Sequence, residues 1–207
     1  MARRTNEYFI QHPTWPTEWI LHTVPMFYAD YLYTGNLESI VHHYEYLKYK
    51  TLSFLSREDG LISVYTDKLT PDLMKKIGFS NPDERLRDLV DWPPGQNDTG
   101  WKLARLEGER DGYDMVEVNT VVNAFFYWNL LIMKDIAGLI HEKEDSVFFD
   151  QLSDKVKATI NELLFDRKKG IYVDGERSSH SSLHANMLPL AVGLVPLEFK
   201  QNVVDFI

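Results

Sequence analysis

The sequence contains no cysteine, which excludes disulfides, thiolate metal sites and cysteine nucleophiles together and leaves the compartment open. No apolar stretch approaches the roughly 18 uninterrupted residues that a membrane-crossing helix needs, so no span is expected. Cations are also in short supply: 22 Lys and Arg stand against 31 Asp and Glu, a formal net charge of −9. No basic stripe offsets that acidity, which repels phosphate backbones, so nucleic acid is not an expected partner. A phosphate-cradling glycine loop, a dinucleotide motif and a Gly-x-Ser-x-Gly nucleophile turn are all missing. The opening Met1-Ala2-Arg3-Arg4-Thr5-Asn6-Glu7-Tyr8 has two arginines with no apolar run behind them. No signal peptide is read there, and an exported parent would carry its signal outside this chain.

What is present is ordinary globular material, 44% hydrophobic and 26% charged over 207 residues. Area scaling gives about 10,000 Å² exposed against about 35,000 Å² for the unfolded chain, so roughly 70% of the surface would be buried, enough for one domain or a large piece of one.

The periodic segments are helical and come in unlike pairs. Residues 17 to 34 run apolar on nearly every side to a stop at Gly35, and should be buried all round. Residues 36 to 55 place Leu37, Ile40, Val41, Tyr44, Leu47 and Thr51 on one stripe, with charges elsewhere. The alternation returns with an apolar helix over 117 to 141 and an amphipathic one over 145 to 165 carrying Phe148, Leu152, Val156, Ile160 and Leu163 on its inner face. A third pair begins with 181 to 194 and 198 to 207, and Arg3 to Gln11 reads as the tail of another helix. Buried helices alternating with half-buried ones suit a two-layer ring, and the absence of a fixed short repeat argues against an ordinary solenoid. The expected fold is therefore all-α, part of an (α/α)6 toroid of alternating inner and outer helices with a long inserted loop. That loop spans about sixty residues, too many for a plain connection. It holds a short strand candidate at Leu61 to Tyr65 and a proline-started helix after Thr70.

Candidate chemistry clusters in a few places. Asp91-Trp92, in a Pro/Gly/Asn/Asp-rich stretch, pairs a carboxylate for hydroxyl hydrogens with a ring for the C–H face of a sugar; the alternative is a tryptophan that pins the loop. His180 and His184 lie one turn apart at a helix start, a spacing used by zinc sites, yet no third ligand is suggested and packing or substrate contact is favoured over metal. The serines between 178 and 182 suit helix capping. Glu18 with His22, and Asn119 with Asn123, are polar pairs near the starts of buried helices, where they either line a common pocket or satisfy loop backbone.

Taken together, Trp15-Pro16-Thr17-Glu18-Trp19, Asp91-Trp92, Glu117-Val118-Asn119-Thr120, Lys169-Gly170-Ile171-Tyr172-Val173-Asp174-Gly175, His180-Ser181-Ser182-Leu183-His184-Ala185-Asn186 and Gly193-Leu194-Val195-Pro196 resemble the bacterial α-L-rhamnosidase family of glycoside hydrolases. The resemblance implies an (α/α)6 barrel that removes terminal α-L-rhamnose from glycosides by inversion, one carboxylic acid protonating the leaving oxygen and another activating water. It implies no cofactor and no metal, and a rhamnose-containing glycoside as partner. It also implies that the acid's motif precedes the segment of Thr17 to Trp19 and the base follows that of His180 to Asn186, so residues 1–207 correspond to the middle of the barrel, truncated at both ends, with the catalytic pair outside. Asp91, Trp92, Glu18, His180 and His184 carry over as substrate-facing positions, with Val90 standing where the family usually has glycine. An incomplete ring would expose barrel flanks and self-associate. Two other readings of the residues stand beside this one, a non-catalytic helical scaffold and another toroid glycosidase or lyase.

Overall fold

The computed structural model describes residues 2–81, 83–90 and 113–207. Among these, the chain forms α1 (Ala2–Gln11), α2 (Thr17–Leu21), α3 (Thr23–Thr34), α4 (Glu38–Lys50), α5 (Pro71–Ile77), α6 (Thr120–Leu139), α7 (Lys143–Leu163), β1 (Phe165–Asp166), β2 (Ile171–Tyr172), α8 (His184–Ala191) and α9 (Lys200–Phe206). Helix α6 is the centre. It packs on α2 and α3 to one side, on α8 to the other, and on its own partner α7, burying Val122, Ala124, Phe126, Leu130, Met133 and Ile136. The inner row α3, α6, α8 is followed at each step by an outer helix, α4, α7 and α9, as a six-hairpin toroid requires.

Several boundaries follow from single residues. Gly35 ends α3 in the left-handed region at φ 67°, a conformation glycine adopts without a Cβ penalty. Thr70 caps α5 by accepting from the Leu73 amide, with Pro71 in the first helical position, where a missing N–H costs nothing.

Three expectations need correction. Residues 17 to 34 are two helices divided at His22. Pro25 has no N–H to give to the Leu21 carbonyl four residues back, and that carbonyl instead accepts from Asn129 Nδ2 at 2.9 Å. Nor is this stretch buried all round, for Trp19 is 54% and Tyr33 92% exposed. On α7 the inner face runs through Phe149, Ser153, Val156 and Ile160, leaving Phe148 and Leu163 outside. A small serine completes the spacing of that stripe, and hydrophobicity alone does not reveal it. Finally, Leu61 to Tyr65 makes only a single bridge, Ser56 with Ile62, whereas an antiparallel hairpin of β1 and β2 forms around the Asp166 to Gly170 turn. Asp166 Oδ1 accepts from the Lys168 and Lys169 amides there, the side-chain mimicry that makes aspartate a turn former.

One buried group strains the outer wall. Lys50 is fully buried, its ammonium 3.4 Å from the Phe9 carbonyl in the last turn of α1. Desolvation pulls its pKa down to about 7. The unfolded chain then holds more protons than the folded one between that value and the ordinary lysine range, so this group makes stability rise with pH from about 7 towards 10. Lys50→Met should remove the slope and raise the unfolding free energy at pH 7 by about 1–3 kcal/mol. Thermal unfolding of both proteins at pH 6, 7, 8 and 9 checks this, and equal slopes would refute it.

Candidate functional site

The starts of α2, α6 and α8 gather at one end of the inner row, and backbone pairing holds the intervening segments to them. Arg87 pairs with the chain ahead of α2, its amide donating to the Trp15 carbonyl and its carbonyl accepting from Thr17. Between α6 and the segment after β2, the Thr120 amide donates to the Asp174 carbonyl at 2.8 Å and the Glu176 amide to that of Val118 at 3.0 Å. Gly175 sits where this pairing is tightest. A Cβ there would overlap the Val118 carbonyl and the Val116 side chain, so only glycine lets the two segments meet.

Glu18, in the first turn of α2, is buried. Its carboxylate accepts from the Val90 amide at 2.9 Å and the Leu89 amide at 3.1 Å. Burial pushes its pKa up, and the amides of Leu89 and Val90, with its own, pull it back. Beside it lies Asp88, also buried, which accepts from Asn119 Nδ2 at 2.7 Å. Desolvation first, then the neighbouring Glu18 charge, raises Asp88 to about 7, against the restraining influence of the nearby Thr17 hydroxyl and of the Asn119 amide. Asn119 also caps α6, its Oδ1 accepting from the Val122 amide at 2.8 Å.

The second cluster centres on Asp174, which is fully buried. Its Oδ1 accepts from the Ser182 amide and its Oδ2 from the Asp114 amide, both at 2.8 Å. Oδ2 also meets His180 Nδ1 at 2.6 Å. A carboxylate held by two amides fixes the imidazole and leaves Nε2 as its outward atom. His184, one turn on, is half-buried with Nδ1 unpartnered among the described residues. Tyr113 joins the two clusters. Its hydroxyl donates to the Asp174 carbonyl at 3.2 Å, its ring packs with Val121, Ala185 and Val90, and burial with the charges of Asp174, Asp88 and Glu18 pushes its pKa up.

Of the sequence-derived residues, Glu18, His180 and His184 thus share one end of the fold, while Asp91 and Trp92 lie outside the described residues. His22 is not joined to the Glu18 carboxylate; its Nδ1 meets the Glu18 carbonyl at 2.7 Å, and its ring lies 4.7 Å from that of Phe125. Asn123 satisfies loop backbone, accepting from the Ile62 amide and donating to the Ile62 and Asn119 carbonyls. Among the described residues no three His, Cys, Asp or Glu side chains converge as a metal site requires. Asp88, Tyr113 and the anchoring role of Asp174 escape residue-level reading. The one signal was position 90: Val90 has φ 57°, a left-handed conformation costly for a β-branched residue and natural to the glycine the family usually has there. The ensemble of buried carboxyls and a fixed imidazole can bind hydroxyl groups or hold and move protons.

The model of a protein family described as the bacterial alpha-L-rhamnosidase 6 hairpin glycosidase domain matches residues 7–206. No curated protein matches the sequence. Among solved structures, a GH78 family rhamnosidase of Bacillus sp. GL1 superposes with TM-score 0.64 at 18% identity, covering 92% of this chain and 17% of its own. A rhamnosidase from Klebsiella oxytoca with rhamnose bound gives 0.63 at 12% identity, over 93% of this chain and 30% of that one. An α-L-rhamnosidase from Dictyoglomus thermophilum gives 0.61 at 21% identity, over 92% and 17%. The chain therefore spans between 17% and 30% of the lengths of these structures.

The Glu18 contacts predict the effect of an isosteric change. In Glu18→Gln the oxygen can keep the place of Oε1, but an NH₂ then replaces Oε2 and faces the Leu89 amide donor at 3.2 Å, so the variant should lose about 1–3 kcal/mol of stability. Urea unfolding measures it; an unchanged midpoint would show that the Leu89 and Val90 amides do not need the carboxylate.

Proposed function

Because this chain belongs to the bacterial α-L-rhamnosidase 6 hairpin glycosidase domain family, we propose that it forms the central part of an (α/α)6 barrel and serves in releasing terminal α-L-rhamnose from glycosides by inversion. The observation that carries this reading is the meeting of Glu18, Asp174 and His180 at the starts of inner helices around Tyr113. The Asp174 carboxylate holds the His180 imidazole by Nδ1, which leaves Nε2 for a sugar hydroxyl. The Klebsiella oxytoca protein of similar fold holds rhamnose, which favours that sugar over others. Inversion calls for two carboxylates about 6.5–9.5 Å apart, with water between one of them and the sugar. The resemblance assigns that pair to segments on either side of this chain, so Asp91, Trp92, His180 and His184 are proposed as sugar contacts. Glu18 is proposed to shape the pocket wall, since its oxygens already accept two amides. Exposed Leu32, Tyr33 and Leu197 suit coverage by ring neighbours or by a second copy.

The test is direct. L-rhamnose titrated against the chain by calorimetry or NMR should bind saturably with Kd on the order of 1 mM, about −4 kcal/mol, and D-glucose should not. His180→Ala should weaken it about tenfold, the loss of one hydrogen bond. Absence of binding at high sugar concentration would favour a non-catalytic helical scaffold. In the intact enzyme, Trp92→Ala should reduce kcat/KM for an aryl α-L-rhamnoside by about 1–3 kcal/mol with its thermal midpoint little changed. A large loss of stability with normal kinetics would instead make Trp92 a loop anchor.

A further inference from the structure

Glu18 and Asp88 are neighbouring buried carboxyl groups with unequal hydrogen bonding. Among the described residues, Glu18 accepts two backbone amides, whereas Asp88 accepts only the Asn119 amide, on Oδ2. Asp88 Oδ1 and Thr17 Oγ1 have no hydrogen-bond partner of good geometry among the described residues. Two adjacent carboxylates out of water repel strongly, so such a pair keeps a proton, and N–H donors decide which member is ionised. They favour charge on Glu18.

We propose that Asp88 is a positioning residue that works as the neutral acid, joining the start of α2 to the start of α6 while Glu18 carries the charge and holds the Leu89 and Val90 amides. A proton on Oδ1 gives the neighbouring Thr17 hydroxyl a donor, and Asn119 completes the link to α6. The importance of this link for sugar binding rests on the function proposed above. Among the described residues, the other titratable groups that face Asp88 are Tyr65 from the loop after α4 and Tyr113 ahead of α6, and Arg87 and Glu117 lie in the same electrostatic neighbourhood. From α6 itself comes the neutral Asn119 amide.

The sign of the pH dependence follows. Asp88 is raised from the usual aspartate value to about 7, so the folded form holds more protons than the unfolded one between those values. Its contribution to stability is full below the unfolded pKa and is lost as pH rises towards about 7. Above about 7 the folded acid ionises beside Glu18, and the link loosens.

Three measurements on the whole chain test this. Carboxyl ¹³C NMR should show Asp88 titrating near pH 7, with Glu18 ionised at lower pH. Asp88→Asn, a neutral isostere, should keep L-rhamnose affinity within about twofold of wild type, remove the fall in affinity above pH 7, and preserve exchange protection of the Leu89 and Val90 amides. Asp88→Ala should lose that protection and the affinity at least tenfold. Asp88→Asn as damaged as Asp88→Ala would overturn the proposal, as would a spectrum in which Asp88 is ionised at pH 5 and Glu18 keeps the proton. If wild type binds no L-rhamnose, the sugar reading falls, and titration and amide exchange still decide the role of Asp88.

Discussion

From Thr120 to Met133 helix α6 exposes no residue, so irregular chain packed against that stretch has little water to turn to, and its buried backbone groups must find partners on the helix itself. Two asparagines supply them, and a third at the helix start holds a loop side chain. Asn129 takes the Leu21 carbonyl freed by Pro25, Asn123 takes both polar groups of Ile62, and Asn119 binds Asp88 while capping its own helix. An amide side chain offers a donor and an acceptor at once, so it replaces a missing ladder partner without introducing charge. The same device recurs on α8, where Asn186 accepts from the Tyr172 amide and donates to the Tyr172 carbonyl. The inner row is therefore fastened to its loops by neutral amides, and the buried acids are reserved for the end where the site lies.

That division explains what could be read from residues alone. Helix starts and stops marked by glycine, proline and threonine, and the alternation of buried with half-buried helices, are encoded locally, and the fold class follows from them. The division of residues 17–34 at His22 was also local in origin, through Pro25, but the long apolar run around that proline masked it. The inner stripe of α7 was displaced because Ser153 belongs to it and Phe148 does not, and only the neighbour decides which face is covered.

The site was legible only in part, for a different reason. Glu18, His180 and His184 attract notice as polar residues at helix starts. Asp88 does not, because nothing in Arg85-Leu86-Arg87-Asp88-Leu89-Val90 distinguishes a buried aspartate from a surface one; its burial comes from pairing of Arg87 with Trp15 and Thr17, some seventy residues earlier. Asp174 is likewise defined by its partners, two amides and an imidazole that come from Asp114, Ser182 and His180. Long-range electrostatics of this kind exists only after folding.

Val90 shows the direction in which conformational information flows. A β-branched residue would not choose a positive φ in a free peptide, so its shape is imposed by the Glu18 carboxylate on its amide and by packing against the cluster of Tyr113, Val121 and Ala185. Residues 86 to 90 are consequently not a portable motif. Transplanted into another helical ring without an acid at the start of the facing inner helix, the same five residues would relax to an extended backbone and direct whatever follows them elsewhere.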